Sequence, residues 1–252
     1  MKLEILGCGD AFGSGGRLQT CFHLEGAGRS VLIDCGASAL IGIARAGIDP
    51  DAIETVVISH LHGDHFAGLV FLLLQAQHVT RRSRPLTLIG PVGFETRLRA
   101  ASEALFPGST EKPLRFPVSF IEFAEGDRLE HQGLTIEAFA GRHPSGALSA
   151  ALRLELGGRV VAFSGDSEWV DALADCARGA DVFLCECYAA EPGVRYHIDW
   201  PTLRERLPQL TAQRIVLTHM NRTMLACDTS GIDPRLIRAE DGLVIDLDAP
   251  RA

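Results

Sequence analysis

The sequence lacks several features that would point to particular protein classes. No apolar run approaches the roughly 18 to 20 residues that a membrane-spanning helix needs, and residues 1–7 have no signal-peptide pattern. The seven cysteines include no C-x-x-C pair, which is typical of reduced thiols in the core or at the surface. We therefore expect a cytoplasmic protein without a membrane segment or a disulfide framework.

Positive charge is also scarce. Lys and Arg number 24 against 32 Asp and Glu, so the formal net charge is −8. An acidic chain of this kind is not expected to coat nucleic acid or an anionic membrane. A small anionic substrate is still compatible with this charge, because bound metal ions would reverse the local potential.

The remaining composition is that of a soluble globular enzyme, with 46% hydrophobic residues, 22% charged residues and 26 glycines. Short apolar runs separated by turn residues predict strands over 2–7, 20–25, 29–34, 55–59, 86–90, 118–123, 134–140, 148–156, 159–164, 181–186, 214–218 and 243–247. Other stretches predict helices over 37–46, 66–77, 93–105, 168–178 and 201–210. Strands come first and then alternate with helices, without a linker. We therefore expect one α/β domain over residues 1–252 with mixed sheets.

Four residues of metal-ligand type lie together in the segment His60-Leu61-His62-Gly63-Asp64-His65, directly after a predicted buried strand. Two imidazoles two positions apart can converge on one ion from a loop. The carboxylate and imidazole that follow can turn towards a second ion, and Gly63 would give the backbone the freedom to turn sharply. Nitrogen and oxygen donors without thiolate suit Zn, Mn or Fe in a reactive site.

Three more residues of ligand type follow later predicted strands: His143, Asp166 and His219. Sheet-based folds tend to build their sites at the carboxyl ends of strands, so we expect these residues to converge on the histidine segment. A lone histidine is more often an ordinary surface or core residue. This is our interpretation of the histidines outside the pattern, His23, His78 and His131.

The histidine segment resembles the H-x-H-x-D-H signature of the metallo-β-lactamase superfamily. Further matching elements follow in the family's order across essentially the whole chain: the opening 6–11, the run 32–36, His143 before a hairpin, Asp166 in Ser-Gly-Asp-Ser and His219 in Leu-Thr-His. The resemblance implies a four-layer αββα sandwich of two mixed β-sheets in a single domain. It also implies two divalent metal ions, with zinc favoured and manganese or iron as alternatives.

The resemblance also implies a ligand set by position. It assigns His60, His62 and His143 to the first metal, Asp64, His65 and His219 to the second, and Asp166 to both. Attack on the substrate by a metal-bridging hydroxide, held in place by Asp64, would follow from this arrangement. Each imidazole should donate its other N–H to a further acceptor. Asp34 is a candidate acceptor, and the alternative is a carboxylate that caps its own loop.

The ribonuclease Z-like and phosphodiesterase branch is the best match within the superfamily. It combines Leu-Gly-x-Gly and His-x-His-Gly-Asp-His with an acidic residue after a buried strand and a further histidine, here Glu186 and His197. The resemblance implies that His197 protonates the leaving alkoxide and that Glu186 orients it. The alternatives are that His197 caps the helix after it and that Glu186 belongs to a structural ion pair.

Two departures from that branch bear on the substrate. Only one hairpin separates His143 from Asp166, so the arm that grips transfer RNA in ribonuclease Z enzymes is absent there. The family's Ser-x-x-Arg pattern is replaced by residues 220–223, which shifts the register of Arg222. We expect a small or cyclic phosphodiester as substrate and not transfer RNA. The basic cluster of Arg81, Arg82 and Arg84 either rims the pocket or, more commonly for such a run, forms a solvated loop.

Three other functions stay open at this point. The same metal core is used by thioester, lactone and other carboxyl-ester hydrolases. A redox di-iron protein is disfavoured by His62, where that branch usually has a carboxylate. A non-catalytic carrier or assembly factor of cofactor biosynthesis is disfavoured by the complete ligand set. A homodimer is common among relatives, but no surface stripe in the sequence demonstrates one.

Overall fold

Two seven-stranded β-sheets pack face to face in the computed structural model, which describes residues 1–249. The first sheet has the strand order β14-β1-β2-β3-β4-β5-β6. Its strands are β1 (Lys2–Gly7), β2 (Cys21–Gly26), β3 (Arg29–Ile33), β4 (Thr55–Val57), β5 (Leu86–Pro91), β6 (Val118–Phe123) and β14 (Val244–Asp246). Neighbouring strands run antiparallel from β14 to β3 and parallel from β3 to β6.

The second sheet repeats this arrangement, with the order β13-β12-β11-β10-β9-β8-β7. Its strands are β7 (Arg128–His131), β8 (Leu134–Ala140), β9 (Ala150–Leu156), β10 (Arg159–Phe163), β11 (Val182–Glu186), β12 (Ile215–Thr218) and β13 (Leu236–Arg238). Strands β7 to β10 pair antiparallel and β10 to β13 pair parallel. Each sheet therefore has a parallel half whose strand ends all face the same way.

Helices cover the outer faces of both sheets. They are α1 (Ala39–Arg45), α2 (Gly63–Phe66), α3 (Gly68–His78), α4 (Phe94–Leu105), α5 (Ala172–Cys176), α6 (Trp200–Arg206) and α7 (Arg222–Ala226). None of these helices has the length and apolarity needed to cross a bilayer.

Three apolar cores hold the layers together. Between the sheets, Phe22 of β2 meets Phe163 of β10 edge to face, with ring centroids 5.2 Å apart. A second core joins the first sheet to α1, α3 and α4. A third joins the second sheet to α5, α6 and α7. The expected αββα sandwich in a single domain is therefore confirmed. The domain boundary at 1–252 stays a prediction, and residues 250–252 lie outside the described part of the chain.

Candidate metal centre

Strands from both sheets end at one edge of the sandwich and deliver polar side chains there. Asp34 follows β3 and His60 lies three residues beyond the end of β4. From the second sheet, Asp166 follows β10, Glu186 is the last residue of β11 and His219 follows β12. The parallel halves of the sheets thus place residues from distant parts of the sequence around one centre.

The first group of ligand-type residues consists of His60, His62 and His143, each of which offers one ligand atom within 4.8 Å of the others. His62 Nδ1 and His143 Nε2 lie 2.9 Å apart. His60 is fully buried, whereas His62 and His143 are half-buried. This group therefore reaches the protein surface on one side.

The second group consists of Asp64, His65, Asp166 and His219, whose ligand atoms also lie within 4.8 Å of one another and which are all buried. Asp166 lies between the two groups. Its Oδ1 is 3.3 Å from His65 Nε2. Its Oδ2 is 3.4 Å from His219 Nε2 and 3.8 Å from His60 Nε2. The sequence-predicted ligand residues are thus all brought together, in the two predicted sets.

The residues present fit divalent cations. Nε2 of His60, Nε2 of His65 and Oδ1 of Asp166 are buried and have no hydrogen-bond partner within residues 1–249, which is costly unless something else satisfies them. Burial lowers the pKa of His60 well below its ordinary value. Burial raises the pKa of Asp166, but His219 and His65 outweigh it and hold that pKa well below the usual range. A neutral imidazole and a charged carboxylate are the forms that bind metal. Burial lowers the pKa values of His65 and His219, but Asp166 and the neighbouring carboxylates raise both above the ordinary value. A cation bound there would replace those protons in balancing the carboxylate charge.

The histidine segment does not have the loop conformation expected from the sequence. Helix α2 begins at Gly63, so Asp64 and His65 lie on a helical turn. Gly63 is not among the residues with positive φ, and a Cβ there would meet only the Cβ of Ala67, at 3.8 Å. The expectation that Gly63 provides a sharp turn is therefore wrong.

Two other glycines are needed for close packing beside the site. A Cβ on Gly36 would lie 2.3 Å from the carbonyl oxygen of Asp64. A Cβ on Gly68 would lie 2.1 Å from the carbonyl oxygen of Gly36. Only glycine allows the segment after β3 to approach the histidine segment this closely.

Asp34 supports the second group from behind. Its Oδ2 lies 2.6 Å from His65 Nδ1, and it accepts hydrogen bonds from the N–H and the hydroxyl of Ser59, both at 2.7 Å. Its partners lie on other segments, so the alternative of a carboxylate that caps its own loop is wrong. Asp34 therefore orients His65, as expected for a residue behind a metal ligand.

His143 has a comparable support in the backbone. Its Nδ1 lies 2.9 Å from the carbonyl oxygen of Tyr196.

Three non-glycine residues at the site have a positive φ: Tyr196 at 68°, Asp34 at 57° and His219 at 58°. Non-glycine residues rarely adopt this left-handed region, and such strain concentrates at functional sites.

Glu186 and His197 form a pair at the edge of the centre. Glu186 is 1% exposed, and its Oε2 lies 2.9 Å from His197 Nδ1. Its other oxygen accepts the backbone N–H of Ser167. Burial lowers the pKa of His197, but the hydrogen bond and charge of Glu186 raise it above the ordinary value. His197, His143 and Asp166 also offer ligand atoms within 4.8 Å of one another.

The structure resolves the alternatives for this pair. Helix α6 is capped by Asp199, which accepts the N–H of Thr202 at 2.9 Å, so the interpretation of His197 as a helix cap is wrong. Glu186 does belong to a buried pair, but its partner is His197 itself. Glu186 is predicted to orient His197 through this same contact.

Tyr188 is a site residue that sequence reasoning missed. Its ring stacks on His197 with centroids 4.6 Å apart and an interplanar angle of 28°. The chain has only two tyrosines, Tyr188 and Tyr196, and both contact this site. The sequence held one signal for Tyr188: it is an aromatic residue two positions after Glu186, in a chain with few aromatic residues.

The predicted basic cluster lies away from the site. Arg82 is 3% exposed, and its guanidinium donates to four backbone carbonyls, those of Pro50, Ile53, Arg84 and Pro85. These carbonyls lie just before β4 and β5, whereas the site lies beyond the end of β4. Arg82 is therefore a structural residue, neither a pocket rim nor part of a solvated loop. Arg222 is exposed at the start of α7, three residues after His219.

Comparisons with known proteins agree with this geometry. A family model described as Anti-Pycsar protein Apyc1 matches residues 1–240. A ribonuclease Z of Agathobacter rectalis is 28% identical over 264 positions, which cover 84% of this chain and 85% of the relative. Human tRNase Z, short form, has a similar structure, with a TM-score of 0.79 at 22% identity over 99% of this chain and 100% of that one. The metallo-β-lactamase fold protein YhfI of Bacillus subtilis gives a TM-score of 0.78 at 22% identity, over 97% and 98%.

These likenesses confirm the resemblance predicted from the sequence, to the ribonuclease Z-like branch of the metallo-β-lactamase superfamily. They also confirm the predicted class, a metal-dependent hydrolase.

Proposed function

The chain belongs to the Anti-Pycsar protein Apyc1 family, and we propose that it is a metal-dependent phosphodiesterase that acts on a small or cyclic phosphodiester. The proposal includes two divalent ions, with zinc favoured by the family resemblance. Manganese and iron are the alternatives, because imidazole and carboxylate donors suit all three metals. The domain is proposed to span residues 1–252. A cytoplasmic location and a homodimer stay predictions.

The Glu186–His197 pair is the observation that carries this proposal. Hydrolysis of a phosphodiester needs a proton for the leaving alkoxide, which hydrolysis of an activated thioester does not need as strongly. His197 is bound to a buried carboxylate at 2.9 Å and lies beside the shared Asp166. An imidazole held in this way is suited to protonate the leaving oxygen at neutral pH.

The remaining roles are assigned to residues of the two ligand groups. The proposed ligands are His60, His62, Asp64, His65, His143, Asp166 and His219. When bound, two divalent ions would activate water and neutralise charge on the phosphoryl oxygens. We propose Asp64 both as a ligand and as the acceptor that holds the attacking water. Its Oδ2 lies 3.3 Å from Nε2 of both His65 and His219, so the three proposed ligand atoms lie close together.

A small substrate is favoured over transfer RNA by two features of the chain. The segment between His143 and Asp166 contains β9 and one tight turn into β10, and no arm extends from it. The net charge of −8 also disfavours a large polyanion. Because a relative is named ribonuclease Z, precursor transfer RNA must be included among the substrates that are tested.

The test is a substrate panel with the protein loaded separately with zinc, manganese or iron. We expect turnover of bis(p-nitrophenyl) phosphate and of a 3′,5′-cyclic nucleotide, and none of precursor transfer RNA. A lactone and a glutathione thioester serve as alternative substrates. Turnover of either ester without diester cleavage would overturn the proposal, and full metal content without turnover of any substrate would favour a carrier or assembly factor.

A further inference from the structure

A cavity of about 420 Å³ lies beside the metal centre and shares His197 with it. Its walls come from three parts of the chain: the segment after Asp166, the loop before α6, and α6 itself. The residues that matter here are Trp169, Arg195, His197 and Arg206, together with the acids Glu168 and Asp199. The cavity therefore adjoins the metal-ligand residues at His197.

The positive and negative side chains that line this cavity differ in how they are paired. Among the described residues, neither Arg195 nor Arg206 has a carboxylate within 4.0 Å. The two acids are already engaged: Glu168 accepts from Arg142 at 2.8 Å, and Asp199 accepts from the N–H of Thr202 at 2.9 Å. The cavity thus has two guanidinium groups without an ion-pair partner, Arg195 exposed and Arg206 half-buried. Of the two acids that line it, Asp199 keeps a negative charge that no side-chain cation within residues 1–249 offsets.

Aromatic rings hold both guanidinium groups in place. Arg206 Cζ lies 5.8 Å from the ring centroid of Trp169, and Arg195 Cζ lies 5.0 Å from that of Tyr196. Nε of Arg206 and Nε1 of Trp169 are buried and have no acceptor among the described residues. A guanidinium held against a ring loses less freedom on binding an anion, and its planar donors match phosphate oxygens.

We propose that this cavity binds a second phosphate on the leaving-group part of the substrate. The proposal rests on the proposed function, in which His197 protonates the leaving oxygen. Because the proposed proton donor His197 borders the cavity, the proposal places the departing alcohol in the cavity. Two unpaired arginines at that point select an alcohol that itself carries a phosphate or phosphodiester, as in a cyclic or linear dinucleotide.

The test compares two substrates that differ in this second phosphate. Cyclic di-AMP has a second phosphodiester, whereas bis(p-nitrophenyl) phosphate has one phosphate only. Arg195→Gln and Arg206→Gln should each lower kcat/KM for cyclic di-AMP roughly tenfold more than for bis(p-nitrophenyl) phosphate, mainly through KM, as expected for a lost charge-assisted hydrogen bond. Arg206→Lys, which keeps the charge, should recover part of the loss.

Arg204→Gln is the matched control. Arg204 is exposed on the same helix as Arg206 but does not line the cavity. This variant should leave kcat/KM for both substrates within about twofold of the parent. Equal losses for the two substrates in the Arg195 and Arg206 variants, or no loss for either, would overturn the subsite.

A binding measurement separates this proposal from the proposed function. The chain has only two tryptophans, so Trp200→Phe leaves Trp169 as the fluorescent reporter within the cavity. In that background, cyclic di-AMP should change the emission, and Arg195→Gln with Arg206→Gln should weaken the apparent binding by roughly tenfold or more. If the protein cleaves neither diester but this arginine-dependent binding is seen, the proposed function fails and the subsite stands. If diesters are cleaved but the binding is independent of the arginines, the subsite fails alone.

Discussion

The two ligand groups of the metal centre differ in depth and in charge. The first, His60, His62 and His143, is made of imidazoles only, and two of its members are half-buried. The second is fully buried and has two carboxylates, Asp64 and Asp166. Carboxylate charge and burial both favour a tightly held cation, whereas partial exposure gives access to a substrate. The second group is therefore expected to bind the tighter ion and the first to face the substrate.

The largest effect should come from Asp166, because it lies between the groups. Asp166→Ala should lower the content of both metals and reduce turnover by about 10³-fold or more, since it removes a charged ligand from each site. Metal content by mass spectrometry and turnover of bis(p-nitrophenyl) phosphate are the measurements. Asp171→Ala, an exposed residue nearby, is the control. Loss of a single equivalent of metal would mean that Asp166 belongs to one group only.

His197 should separate chemistry from metal binding. His197→Ala is expected to reduce turnover by roughly 10² to 10⁴-fold, the usual size for a lost general acid, with both metals retained. The same metal analysis and kinetics apply, and His131→Ala, away from the site, controls for the loss of an imidazole. An unchanged rate would remove His197 from the mechanism.

Asp34 should affect the buried group alone. Asp34→Asn removes the charge that orients His65, and loss of such a partner usually costs about 10- to 100-fold in metal affinity. A chelator titration of the parent should release the metals in two steps, the weaker ion first and the tighter ion second. In this variant the second ion should be released at a lower chelator concentration, closer to that of the first. If the early step moves instead, the assignment of the tighter ion to the buried group is wrong.

Tyr188 should have a smaller effect, through the position of His197. Loss of an aromatic stack costs about 0.5 to 1.5 kcal/mol, so Tyr188→Ala should lower kcat roughly 2- to 10-fold without loss of metal. Tyr188→Phe keeps the ring and should restore the rate. A variant with phenylalanine that is as slow as the alanine variant would indicate a role for the hydroxyl.

Gly63 should matter least, although it lies within the ligand motif. Gly63→Ala adds a methyl group in open space on a helical turn, so turnover should stay within about twofold and the melting temperature should not fall. Gly36→Ala is the contrasting variant, because its Cβ would lie 2.3 Å from a backbone oxygen. It should lower the melting temperature, as measured by circular dichroism. Equal tolerance of both substitutions would contradict the packing described here.

Most strands could be predicted from apolar runs, but β7 and β13 were missed. Both are edge strands of the second sheet. β7, with the sequence RLEH, has few buried residues, and β13 has three residues only. Edge strands are often short and polar, so hydrophobic pattern does not detect them.

The helix predicted over 168–178 is shorter in the structure, where only α5 is helical. The first predicted residues do not join the helix, because Glu168 pairs with Arg142 in an isolated β-bridge and Trp169 lines the cavity.

The sequence by itself determined the ligand residue types, their order and their placement at strand ends, because short-range spacing and strand periodicity are local properties. Asp34 is predicted from the sequence as a supporting residue, but the tertiary structure decided which histidine it contacts and added Tyr188 and the carbonyl of Tyr196. Asp34 and His65 are 31 residues apart along the chain, and Tyr196 and His143 are 53 residues apart. Tyr188 and His197 are 9 residues apart, across the irregular segment that follows β11.

The cavity beside His197 was likewise decided by the tertiary structure. Trp169 and Arg206 belong to segments whose sequences give no sign of a shared surface, and only the packing of α6 on the second sheet brings them together. Long-range packing sets which side chains lie next to each other. Local sequence pattern and the family resemblance therefore predict the candidate ligands, Asp34 and Glu186, but not Tyr188 or the residues of the cavity.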